Sequence, residues 1–92
     1  MKEQLFKPSS SLTFDTVQQD SERLLKMFRD NKTTSIRVDL GGVTDCDSAG
    51  LALLIEAKRL GIQYHKPLII EGLTKATFTL AEFSGVEAML EQ

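Results

Sequence analysis

The run Asp45-Cys46-Asp47-Ser48 sets a thiol and a hydroxyl between carboxylates, at the point where a strand pattern gives way to a helix pattern. Three kinds of chemistry suit such a set. A serine in the first turn of a helix can accept a phosphoryl group, because unpaired backbone N–H groups and the helix dipole favour negative charge there. Two aspartates two positions apart can act as nucleophile and acid–base partner. An Asp or Ser before a helix can also do no more than cap it, since both are strongly preferred in that position. Asp45 and Asp47 would oppose a phosphate on Ser48, so spacing alone does not choose between phosphoacceptor and cap. Metal binding is not expected. Cys46 has no cysteine or histidine at ligand spacing, and the only histidine, His65, falls in a polar connector.

Composition narrows the partners. With 11 basic and 13 acidic residues in 92, the formal net charge is -2 and neither sign forms a block. Nucleic acid is excluded as an expected partner, because phosphate contacts need a basic stripe. A single cysteine excludes an internal disulfide, and no apolar run reaches signal-peptide or membrane-spanning length. The expectation is one domain over residues 1–92, working in the cytoplasm without direct membrane insertion, so that any membrane role would come through another subunit. No nucleophile with an ordering base, no Gly-rich phosphate loop and no metal-ligand set is present, so a binding or switching module without cofactor is expected rather than an enzyme.

The patterns on either side of the motif set its frame. Residues 4–7 form a short first strand, and Pro8 with the serines after it supplies a turn. Over residues 11–15, Leu12 and Phe14 alternate with Thr13 and Asp15, the period of a half-buried strand. Thr16 and Gln19 match a capping box for a helix reaching about Arg29, with Val17, Leu24, Leu25 and Phe28 on one side. Ile36, Val38 and Leu40 alternate with Arg37 and Asp39 as a strand before the Gly41-Gly42 turn. A helix then runs from Ser48 to about Leu60, with Gly61 as its left-handed stop. A strand over 67–71, a helix capped by Thr74 and a short helix over 86–90 complete the chain. Two strand-helix-strand units imply right-handed crossovers, hence an α/β fold: a small mixed β-sheet with helices mainly on one face.

The second helix is unusually apolar. From Ala49 through Ala57 only Glu56 is charged. At a hundred degrees per residue, Leu53, Leu54, Ala57 and Leu60 cluster on one side, while Leu51, Ala52 and Ile55 fall elsewhere, flanked by Lys58 and Arg59. Either neighbouring helices cover that second side, or Leu51, Ala52, Ile55, Lys58 and Arg59 form a partner-binding surface.

The strand Ile36-Arg37-Val38-Asp39-Leu40, the loop that follows it, and Asp47-Ser48-Ala49-Gly50-Leu51 resemble a STAS domain, the family of sulfate transporters and anti-sigma-factor antagonists. The likeness covers essentially the whole chain. Within the family the Gly50-Leu51-Ala52-Leu53-Leu54 run and the segment from Glu71 to Ala81 resemble the MlaB-like branch most. That resemblance implies a non-catalytic cytoplasmic subunit that binds the MlaF-like ATPase of a phospholipid ABC transporter. MlaB-like chains often carry threonine at the position of Ser48 and glycine at that of Ala49. The departures keep open a second implication of the family, in which Ser48 is phosphorylated by an anti-sigma-factor kinase. The Asp45-x-Asp47 spacing is also that of haloacid-dehalogenase phosphatases, but this chain leaves no room for their further carboxylates, lysine and cap.

Overall fold

A computed structural model describes residues 2–91 of the chain. Strands β1 (Lys2–Phe6), β3 (Thr33–Asp39) and β5 (Leu68–Glu71) form a sheet in the order β1-β3-β5, and β2 (Ser11–Leu12) pairs separately with β4 (Asp45–Cys46). All of these pairs are parallel. The helices are α1 (Val17–Arg29), α2 (Ser48–Gln63), α3 (Lys75–Ser84) and α4 (Glu87–Glu91).

Alternation along β3 sets the two faces of the main sheet. Ile36 and Val38 are buried, and their register partners Leu68 and Ile70 on β5 share the covered side. The opposite face carries the row Leu5, Arg37 and Ile69, with both aliphatic side chains about half exposed. Arg37 forms ion pairs there with Glu3 (3.3 Å) on one side and Glu71 (2.8 Å) on the other. The helices therefore cover one face and leave the other open.

The covered side holds the core. Leu24 and Phe28 of α1 and Leu54 and Ala57 of α2 pack with Ile36, Val38 and Leu40, and the Phe28 ring stacks on Tyr64 at 5.7 Å. Helix α2 touches α1, α3, α4 and β5. That surround explains its low charge: a helix packed on several sides must be apolar on several sides.

Three local readings of the sequence change in the fold. Strand β2 ends at Leu12, and Phe14 stands 79% exposed instead of packing inward. Thr16 occupies the cap position of α1 without capping it. Its hydroxyl donates to Ser11 O (2.6 Å) and accepts from Thr13 N–H (3.0 Å), which folds the 13–16 segment into a tight turn. Gly61 lies inside α2, not after it. A Cβ on Gly61 would stand 3.0 Å from Lys66 O and 3.2 Å from the Leu68 Cβ, so the glycine serves close packing of the connector against the helix. The left-handed residue is His65 (φ 57°). Its N–H donates to Ile62 O and that of Lys66 to Gly61 O, which closes α2 as a Schellman motif.

Two charged side chains tie loops to α1. Lys66 Nζ donates to Phe28 O and to Asp30 O (2.8 Å), placing a cation at the carbonyl end of α1. Asp20 is 1% exposed. Its carboxylate accepts from Ser9 N–H (3.1 Å), Ser9 Oγ (3.1 Å) and Arg23 (3.0 Å), anchoring the turn after β1. The Arg23 guanidinium lies 4.9 Å from the centre of the Phe6 ring and extends that anchor. Asp20→Ala leaves those donors without their acceptor and should lower stability by roughly 1.5–3 kcal/mol, measured by urea unfolding.

Candidate functional site

The motif is held by short crossings between β2 and β4. After β3 the buried Leu40 and Val43 anchor the loop, and Thr44 N–H donates to Ser10 O at 2.7 Å. The β2–β4 pairing then sets Leu12 opposite Cys46, which brings the end of β2 against the start of α2. Gly50 permits that approach. A Cβ there would lie 2.1 Å from Leu12 O and 3.0 Å from Cys46 Sγ, so no other residue fits without displacing β2.

Asp47 is the cap of α2. Oδ1 accepts from the N–H groups of Ala49 (2.9 Å) and Gly50 (3.1 Å), while Oδ2 accepts from Phe14 N–H at 3.0 Å across the chain. The donor from Phe14, followed by those from Gly50 and Ala49, holds the Asp47 carboxyl below the usual carboxylate range. One side chain thus starts the helix and fastens the 13–16 turn to it.

Of the alternatives left open at the junction, the structure shows the cap, and Asp47 supplies it. The Ala49 and Gly50 donors are taken by its carboxylate, so a phosphate on Ser48 would meet an ionised group and not open amides. Ser48 itself is the first residue of α2 and is exposed. Asp45 is exposed and accepts from Ser11 Oγ at 3.2 Å. Asp45 and Asp47 therefore serve separate anchoring bonds. Cys46 is partly buried, and that burial raises its thiol above the ordinary range. Among the described residues no group of His, Cys, Asp and Glu could hold a metal ion.

Along α2 the five residues singled out by sequence separate. Leu51 is 4% exposed and belongs to the core, which corrects its expected place on the surface. Sequence periodicity could not reveal that correction, because the neighbours that cover a second side of the helix come from elsewhere in the chain. Ala52 and Arg59 are exposed and Ile55 is partly so. Together with Ser48 they follow the spacing of one helical stripe. Arg59 is ion-paired with Glu56 at 2.6 Å. Lys58 is half-buried, which depresses its pKa, and its ammonium donates to Leu68 O at 3.1 Å, linking α2 to β5.

Beside the stripe lies an open groove of about 420 Å³ between α1 and α2. Val17, Gln18 and Ser21 line it from α1, and Ala49, Ala52, Leu53 and Glu56 from α2. Phe14, hydrogen-bonded through its backbone to Asp47, stands next to the start of α2. Sequence reasoning missed Phe14 and the α1 wall. The available signal was the cluster Thr13, Asp15 and Thr16 around Phe14, which suits a turn better than a strand.

A parallel α/β layer with a capped helix launched from an Asp-Ser turn is the architecture of a STAS domain. The family model described as "Mlab, STAS domain" matches residues 7–91, and the chain belongs to that family. No curated protein and no solved structure matches it. STAS domains are generally non-catalytic and act through other proteins, so membership gives this chain a regulatory or accessory role. Among the described residues no helix is long and apolar enough to cross a membrane.

Two outcomes follow from the cap. Because the Asp47 pKa is depressed in the folded state, its contribution is full at neutral pH and is lost as pH falls through that lowered value. Asp47→Asn turns an amide toward Phe14 N–H and should lower the melting temperature at pH 7, with the gap to wild type closing in acid. Gly50→Ala should cost about 1–3 kcal/mol or more in chemical denaturation, since backbone and not a flexible side chain must move.

Proposed function

We propose that this chain is the non-catalytic STAS subunit of an Mla-type phospholipid ABC transporter, binding its MlaF-like ATPase and supporting its work in lipid asymmetry. In this reading it acts in the cytoplasm and reaches the inner membrane through that complex. The observation that carries the reading is the stripe of exposed Ser48, Ala52 and Arg59 with the partly buried Ile55, beside the α1–α2 groove and starting on the motif shared with the MlaB-type family. Small side chains at Ser48, Ala49 and Ala52 let a partner's backbone come close. Phe14 at the rim supplies an aromatic anchor of the kind that concentrates binding energy. Leu51 supports the surface from below, and Lys58 steadies the far end of α2 through β5.

A second reading has its own observation. The Ser48 hydroxyl is exposed at the first turn of α2, where a kinase can reach it. Under that reading the chain is an anti-sigma-factor-antagonist type of switch, and a phosphate on Ser48 disrupts docking by repulsion with Asp47 and by its desolvation cost.

Copurification from native extract separates the two. An ABC ATPase with its membrane subunits supports the first reading; a small ATP-binding kinase supports the second and overturns the first. Ala52→Asp should abolish the ATPase complex while leaving the melting temperature close to wild type, and Ser48→Glu should weaken it. Leu51→Ala should instead lower stability by about 2–5 kcal/mol, as a core truncation does.

A further inference from the structure

Strand β1 is the edge of the main sheet and precedes the stretch matched by the family model. Its free side can be read from the ladder. Ile36 N–H donates to Pro67 O and Leu40 N–H to Glu71 O, so the even-numbered residues of β3 turn their peptide groups toward β5 and the odd-numbered ones toward β1. Arg37 is the register partner of Leu5, and it therefore bonds the residues flanking Leu5. The N–H and C=O of Glu3 and Leu5 point away from the sheet, along an edge with no strand beside it among the described residues.

The side chains on this edge are self-complementary. Glu3 and Leu5 lie on the open face of the sheet, Glu3 beside Arg37, and Lys7, the residue just after β1, follows at the same two-residue spacing; all three are exposed. An antiparallel copy of β1 placed about a two-fold axis at Leu5 sets Leu5 against Leu5 and Glu3 against Lys7 twice. The same register pairs Leu5 with its copy through the peptide groups that are turned outward. The neighbouring registers, with the axis at Gln4 or at Phe6, set Leu5 against Glu3 or against Lys7 and lose both opposite-charge pairs. We infer that a second copy of this chain adds to β1, joining two sheets into one of six strands through an isologous contact.

No residue of β1 lines the α1–α2 groove or belongs to the stripe on α2, so the inference does not depend on the proposed function. The contact is short, and association is expected only at high protein concentration.

The test uses the full chain and two charge reversals, Glu3→Lys and Lys7→Glu, followed by light scattering and native mass spectrometry over a concentration series. Wild type should shift toward twice the monomer mass as concentration rises. Each reversal alone places like charges opposite each other and should remain monomeric. Mixed, they should form a heterodimer, because the first variant then carries lysine at both positions and the second carries glutamate at both. Leu5→Pro removes an outward N–H without touching the β3 ladder, and should abolish dimers while circular dichroism stays native. A wild type that stays monomeric at every concentration, or reversals that dimerise alone as wild type does, would overturn the inference.

Discussion

The structure depends on one carboxylate. Asp47 binds two amides at the start of α2 with one oxygen and the Phe14 amide with the other, so the helix start and the 13–16 turn share an anchor. Gly50 makes that sharing possible by letting α2 come against Leu12 O. Remove either and the two segments lose their common position, although each would keep its own local bonds. These two residues fix the 13–16 turn, which carries the exposed Phe14, against the start of α2, which carries Ser48.

The same constraint leaves the Ala49 and Gly50 amides of the motif paired within the chain. A helix N-terminus attracts negative charge, and here a side chain of the chain itself satisfies that attraction. What remains at the surface is a hydroxyl beside a fixed negative charge. Such a position tolerates a neutral contact and resists an added anion. It suits a binding surface whose occupancy can be altered by charge, and it does not require catalytic chemistry.

Much of this was legible in the sequence, and for identifiable reasons. Strand β3 shows clear alternation because one of its faces is covered and the other is open. The start of α2 is legible because Asp47 caps through local bonds, and Thr74 is legible because its hydroxyl accepts from Thr77 N–H. Features set by distant segments were not. Phe14 alternates like a strand residue but is turned outward by the Thr16 hydroxyl and held by Asp47 from another part of the chain. Leu51 looks available on a helical wheel, yet the surroundings of α2 bury it. Gly61 has the composition of a helix stop, but the close Lys66 and Leu68 explain it, and His65 takes the left-handed position.

In the proposed role, the face built from the 13–16 turn and the outward stripe of α2 receives the ATPase partner. Amide hydrogen exchange on the complex isolated from native membranes, compared with the free chain, tests this most directly. Slowed exchange is predicted in the 13–16 turn, the first turns of α1 and the first half of α2. Slowing confined to the open face of the sheet, with those segments unchanged, would contradict it.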